Sequence, residues 1–159
     1  MSVNKHKTHV TILPEDDANR QIALGFVNFS DSNQIQILPV AGGWVNVCST
    51  FLSNYARDME RFEHRRMILL VDFDDDPNRP VAIRNRIENK FHDRVFILGV
   101  WSEPERLKAA LRCSFEVIGQ QMAEDCRGDT RAIWVHDLLQ HNEEELGRLR
   151  AAIGPILFP

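Results

Sequence analysis

The chain has 159 residues, a formal net charge of −4, and 43% hydrophobic and 26% charged residues, the make-up of one ordinary globular domain with a full core. The acidic balance excludes a protein coated in basic residues for holding nucleic acid, so any such contact must be local. No apolar run approaches membrane-spanning length, and MSVNKHKTHV lacks a signal-peptide core, so a cytoplasmic protein with no membrane segment is expected.

His9 to Leu13 reads as the first strand, ending at Pro14, and Glu15, Asp16 and Asp17 open a helix through about Phe29. Gln34 to Val40 is a second strand with Ala41, Gly42 and Gly43 as a loop at its carboxyl end. Trp44 to about Phe62 carries apolar residues near a 3.6 period and predicts a helix. Met67 to Val71 is continuously apolar and partly β-branched, as in a strand buried on both faces.

Asp72, Phe73, Asp74, Asp75 and Asp76 follow at once, with Asp-Pro-Asn as turn chemistry. Carboxylates two apart on extended chain point the same way, so Asp72 and Asp74 are suited to share one hard cation. Pro80 to His92 predicts a third helix, with Arg79, Arg86 and Lys90 near one face. Arg94 to Trp101 is the fourth strand, and Ser102, Glu103, Pro104 and Glu105 start a helix through Leu111. Another helix covers Phe115 to about Cys126, and a last one about Arg131 to Ile153. The apolar tail Pro155 to Pro159 must dock on this molecule or on another copy, which makes it a candidate surface for a homo-oligomer or a protein partner.

Strands alternating with helices imply an α/β, Rossmann-like three-layer fold: a four-stranded, mainly parallel sheet with right-handed crossovers over 9–112, and a helical extension over 113–159, in a single domain over 1–159. Strand order 2-1-3-4 makes the first and third strands neighbours and brings Glu15 alongside Asp72 and Asp74. Gathered like charges are costly unless they bind a cation.

An acidic residue after the first strand, a glycine loop after the second and a hydrophobic strand ending in DxD resemble the TOPRIM domain over roughly Val10 to Leu111. The resemblance implies a nuclease or nicking activity on nucleic-acid phosphodiester bonds, with Mg2+ or Mn2+ as cofactor. It gives Glu15 the general acid or base role and Asp72, Asp74 and, further out, Asp76 the metal. Arg79 and Arg86 are candidates to hold the phosphate. Asp16 stands where that family usually has glycine. EDDANRQIALGF and VFILGVWSEPERLKAAL are also similar to two-component receiver domains, which would make Asp72 a phosphoacceptor. No lysine follows Lys108, however, to hold the phosphoryl oxygens. The non-catalytic alternative is an α/β partner-binding or regulatory module, including a degenerate receiver-like one.

Cys48, Cys113 and Cys126 form no CxxC and read as free thiols. Cys126, His136 and His141 are a loosely spaced zinc-site alternative. His64 and His92 sit at helix ends as caps, and Trp44, Trp101 and Trp134 read as core or interface anchors.

Overall fold

A computed structural model describes residues 3–159, in which β1 (His9–Pro14), β2 (Ile35–Ile37), β3 (Arg65–Leu70) and β4 (Val95–Leu98) pair in parallel in the order β2-β1-β3-β4. The register sets Pro14 beside Leu70 and Leu70 beside Leu98, so β1, β3 and β4 end together. The α/β fold and its strand order are those expected. Among the described residues no helix is long and apolar enough to cross a membrane.

Successive strand residues alternate between two cores. Val10, Ile12, Ile68, Leu70, Phe96 and Leu98 face α1 (Asp17–Phe29), α6 (Phe115–Gly128) and α7 (Glu143–Leu157). Leu13, Met67, Leu69, Val95 and Ile97 face α2 (Trp44–Thr50), a π turn (Phe51–Tyr55), α3 (Ala56–Arg61) and α4 (Arg79–Asn85). Each such side chain contributes roughly 1.5–3 kcal/mol on burial, and the absence of a polar face explains the unbroken apolar runs of β3 and β4. The helix expected over 44–62 is the α2, π-turn and α3 sequence.

α1 and α6 cross backbone to backbone. A Cβ on Gly25 would stand 1.9 Å from the Glu116 carbonyl oxygen, and one on Gly119 would stand 1.8 Å from that of Ile22. Glycine is required at both positions by distance rather than by φ.

Several boundaries depart from the sequence expectation: β2 pairs only over Ile35–Ile37 rather than 34–40, β4 only over Val95–Leu98 rather than 94–101, and three helix ends move. α4 stops at Asn85, because the chain turns to bury Ile87 and Phe91, and the His92 ring caps the freed carbonyls of Arg84 (3.1 Å) and Ile87 (2.8 Å). The last helix does not begin near Arg131. Asp125, itself buried, accepts from Thr130 Oγ1 (2.5 Å) and the Ile133 N–H (2.8 Å), folding 129–139 into turns, and α7 starts only at Glu143. At the far end α7 continues through Pro155 to Leu157, so most of the expected tail is helix. It docks on its own molecule: the Asp31 N–H donates to the Leu157 carbonyl (3.1 Å), and Phe158 meets Phe26 and Phe29 at ring separations of 6.4 and 6.5 Å.

The turns before α7, with its first turn, cover the outer edge of β4. Glu145 Oε2 accepts from the Ile97 N–H (2.9 Å), and the Leu138 carbonyl accepts from the Trp101 N–H (2.8 Å). Between them the Asn142 amide pairs with both backbone groups of Gly99, accepting its N–H (3.2 Å) and donating to its carbonyl (2.9 Å). Side chains thus replace a fifth strand along an edge that would otherwise expose its polar backbone.

Gly119→Ala is expected to destabilise the protein by about 1–3 kcal/mol through overpacking, opposite in sign to the roughly 1 kcal/mol gain from helix propensity alone. Thermal melting checks the sign. Asn142→Ala leaves the Gly99 N–H without its partner and should cost about 1–3 kcal/mol. Hydrogen exchange at Gly99 should accelerate more than at Met67 in the centre of the sheet.

Candidate functional site

β1 and β3 deliver two buried carboxylates to one point. Glu15 follows the last residue of β1, and its N–H continues the ladder onto the Leu70 carbonyl (2.9 Å). Its side chain turns across to β3, where Oε2 accepts the Asp72 N–H at 2.6 Å. Glu15 and Asp72 are each only 8% exposed. The glycine loop closes over them: the N–H groups of Gly42 (2.8 Å) and Gly43 (3.2 Å) both donate to the Glu15 carbonyl. The two glycines have φ of +86° and +118°, conformations that other residues adopt only with strain.

Asp16 is the N-cap of α1, accepting the Asn19 N–H at 3.0 Å. Asn19 is fully buried, and its Nδ2 donates to Asp16 Oδ1 (3.1 Å) and to Asp72 Oδ1 (2.9 Å), tying the start of α1 to the end of β3. On the far side of Asn19 lies an apolar cavity of about 40 Å³ whose lining includes Ile22, Leu70 and Trp134. Sequence reasoning passed over Asn19. Its signal was a polar residue at the same helical spacing as Ile22, Ala23 and Phe26, a position that calls for a buried partner.

The acidic run does not stay extended. The Phe73 N–H still bonds the Val100 carbonyl (3.1 Å), but Asp74 and Asp75 have φ of +47° and +58° and fold over the end of β4 onto the carbonyls of Ser102 and Trp101. The expected alternation that points Asp72 and Asp74 the same way therefore ends at Phe73. Asp74 is placed instead by Arg79, whose Nη1 donates to Asp74 Oδ2 (2.7 Å) and to the main-chain carbonyl of Asp72 (3.0 Å). Asp74 lies near enough to Glu15 for its charge to act on it. Asp76 Oδ1 takes the Asn78 N–H (2.9 Å) and shapes the turn into α4.

Trp44 lies between α2 and α4, with the Arg79 guanidinium 5.1 Å and the Arg86 guanidinium 4.9 Å from its ring centroid. Arg79 is turned inward with its side chain 13% exposed, whereas Arg86 is exposed.

Burial dominates the electrostatics. It pushes the Asp72 carboxyl up to about 8, against the opposing Asn19 hydrogen bond and with help from the charges of Glu15 and Asp16. Glu15 is also raised, first by burial, with the Asp72 N–H working in the other direction. Among the described residues no hydrogen bond or ion pair joins a cationic side chain to the carboxylate of either residue. Two acid groups that resist ionisation unless a cation joins them suit hard-metal chemistry, and their oxygens are the donors Mg2+ and Mn2+ prefer. As they stand, no three acidic, histidine or cysteine side chains among the described residues form a closed ligand set.

The zinc alternative fails on placement. Cys126 is buried in the α1/α6/α7 core with its thiol pushed up to about 11, and His136 Nδ1 accepts the Leu138 N–H (3.1 Å). His141 Nε2 donates to the Gly99 carbonyl (2.9 Å), with its ring edge-on to Phe73. All three cysteines are free.

Asp72 has a folded value near 8 against an ordinary 3.8, so its protonated form stabilises the fold fully below pH 3.8, and that contribution is lost as pH rises through about 8. In EDTA, wild-type stability should fall across this window by up to about 1.4 kcal/mol per pH unit. Asp72→Asn, neutral throughout, should flatten the slope. Urea unfolding at stepped pH measures it, and parallel slopes for the two proteins would contradict the assignment.

A scan against protein-family models, a search of curated proteins and a search of solved structures each find no match to this chain, so the site's chemistry rests on its own geometry.

Proposed function

We propose that the protein is a TOPRIM-like, Mg2+- or Mn2+-dependent enzyme acting on nucleic-acid phosphodiester bonds. The observation that carries this reading is the contact of Glu15 with Asp72 at the carboxyl edge, the position where open α/β sheets bind ligands. Asp72 would hold the cation, and Asp74 would join through the oxygen that Arg79 leaves free, with Glu15 beside them as the proton-transfer group. When bound, the cation supplies neutralisation of the charge that develops on the phosphate.

The remaining chemistry belongs to the chain. Glu15 Oε2 is fixed by the Asp72 N–H, which leaves Oε1 as the atom that takes or gives a proton. Its raised affinity for protons moves it toward the range in which a carboxyl works as a general acid or base near neutral pH. Asn19 holds Asp72 in one orientation, and Arg79 does the same for Asp74, so neither has to be ordered during reaction. Arg86, exposed beside Trp44, is the freer of the two arginines to meet a phosphate.

Two features favour this over a receiver-like reading. The β4 edge, where a fifth strand with its lysine would lie, is closed by Leu138, Asn142 and Glu145. Asp72 also has its Oδ1 engaged by Asn19 in a buried setting that suits a ligand held in place better than a phosphoacceptor. The non-catalytic alternative, a partner-binding module, draws support from the Arg79–Asp74 pair, which already neutralises one of the proposed ligands.

Purified protein with Mg2+ or Mn2+ should nick or cut supercoiled DNA or single-stranded DNA or RNA, and EDTA should abolish this. Glu15→Gln should lower the rate by about 10²–10⁴-fold and Asp72→Asn by at least as much. Equal rates in wild type and both variants, or inertness on every substrate, would leave the partner-binding module as the better account.

A further inference from the structure

His9 and Arg65 begin β1 and β3 and stand opposite one another in the register. Both are buried at the amino edge of the sheet, the far end from Glu15 and Asp72: His9 fully, and Arg65 to 4% exposure. Arg65 Nε lies 3.1 Å from His9 Nε2, and His9 Nδ1 lies 2.8 Å from the Lys7 carbonyl oxygen. A guanidinium Nε–H can only donate, so His9 Nε2 accepts, and the single proton of the ring sits on Nδ1 and is donated to Lys7. The contact therefore exists only while His9 is neutral. A proton on Nε2 would set N–H against N–H and cation against cation, where solvent screens poorly.

The neighbouring elements add to that conflict. Lys5 of the N-terminal segment and His64 of the turn before β3 both bring positive charge toward the ring. Arg94, just ahead of β4, donates to the Arg65 carbonyl (3.2 Å). Tyr55 of the π turn and Asp58 of α3 face Arg65, and Asp58 Oδ2 reaches its Nη1 only at 3.5 Å. Burial first, then the cations, hold His9 below the usual histidine range, with the Lys7 bond working in the other direction.

The same corner anchors the N-terminal segment. Val3 is buried, and the Asn4 backbone exchanges hydrogen bonds with the Gln34 side chain, 3.0 Å in each direction. The Lys5 ammonium lies 5.1 Å from the centroid of the Phe62 ring, on which the Arg65 guanidinium also rests at 5.4 Å.

We infer that the His9–Arg65 pair is a proton-sensitive latch: a proton taken up at His9 Nε2 breaks the pair and releases residues 3–8 from the amino edge of the sheet. The inference goes beyond the function proposed above and does not depend on it. Its sign is opposite to that of Asp72. A ring whose folded value lies below the ordinary 6.5 contributes its full stability above pH 6.5, and that contribution is lost as pH falls from there toward the lowered value.

The test is urea unfolding of wild type and His9→Gln in steps from about pH 8 to about pH 5, the range in which histidine titrates. Glutamine keeps an acceptor for Arg65 but takes up no proton. Asp72 is common to both proteins and distant from the change, so its contribution cancels in their ratio. Relative to His9→Gln, the folding equilibrium constant of wild type should drop by up to about tenfold per pH unit below 6.5. Lys108→Gln on α5 (Pro104–Leu111), which removes a cation elsewhere, should follow wild type. Two measurements on wild type alone decide the matter even where His9→Gln does not fold. Nitrogen NMR of the ring should show the Nδ1–H form at neutral pH and a midpoint below 6.5. In acid, hydrogen exchange at the Lys7 and His9 amides, which donate to the Asn4 and His64 carbonyls, should lose protection while Val71 near the other end of β3 keeps its own. A midpoint at or above 6.5, an Nε2–H form at neutral pH, or protection at Lys7 and His9 that keeps pace with Val71 would overturn the inference. Parallel profiles for wild type and His9→Gln, or a Lys108→Gln profile matching that of His9→Gln, would overturn it equally.

Discussion

The bond from the Asp72 N–H to the Glu15 carboxylate is the constraint on which the candidate site depends. It joins the ends of two adjacent parallel strands by a side chain just where the backbone ladder runs out. Glu15 gathers the surrounding segments with the rest of its polar atoms. Its N–H extends the β1–β3 ladder, and its carbonyl takes both glycine N–H groups of the β2–α2 loop. Moving Glu15 would release three segments at once. Of these bonds only the one from the Asp72 N–H needs the carboxylate.

The same burial sets up a competition. A proton and a metal ion would seek the same oxygens, so groups that hold a proton against the solvent would have to release it to a cation. Asn19 presents one N–H to Asp72 and another to Asp16, which orients the two carboxylates. Arg79 plays a comparable part for Asp74 from the other side, steadied by the Trp44 ring. Asp72 and Asp74 are thus each oriented by a neighbour from another element, Asn19 of α1 and Arg79 of α4. The left-handed turn at Asp74 and Asp75 is tolerated because aspartate adopts that conformation more readily than most residues.

Behind the site the C-terminal segment completes the scaffold. Asn142 and Glu145 satisfy the outer edge of β4, and α6 presses on α1 so closely that only glycine fits at Gly25 and Gly119. Because α1 carries Asp16 and Asn19, the helix contact behind the sheet also fixes the geometry in front of it. The extension is thus part of the machinery that positions the acids, even though it contributes none of them.

The element order, the parallel sheet and the meeting of Glu15 with Asp72 were all legible in the sequence. Each follows from local pattern plus topology: strands buried on both faces read as unbroken apolar runs, and right-handed crossovers leave few strand orders to consider. The sequence also showed free thiols and a His92 cap, because short-range chemistry decides those. Tertiary structure alone decided the rest. Residues 131–139 carry a helical pattern, but the Asp125 carboxylate and the open edge of β4 compete for their backbone groups, and neither competitor is visible in a local window. Asp74 leaves the strand direction for the same kind of reason, since its partner Arg79 and the carbonyl of Ser102 come from other segments. Asn19, Trp44 and Asn142 acquire their roles only from partners brought near by folding. A side chain's hydrogen bonds depend on which distant groups arrive beside it, and periodicity carries no record of that.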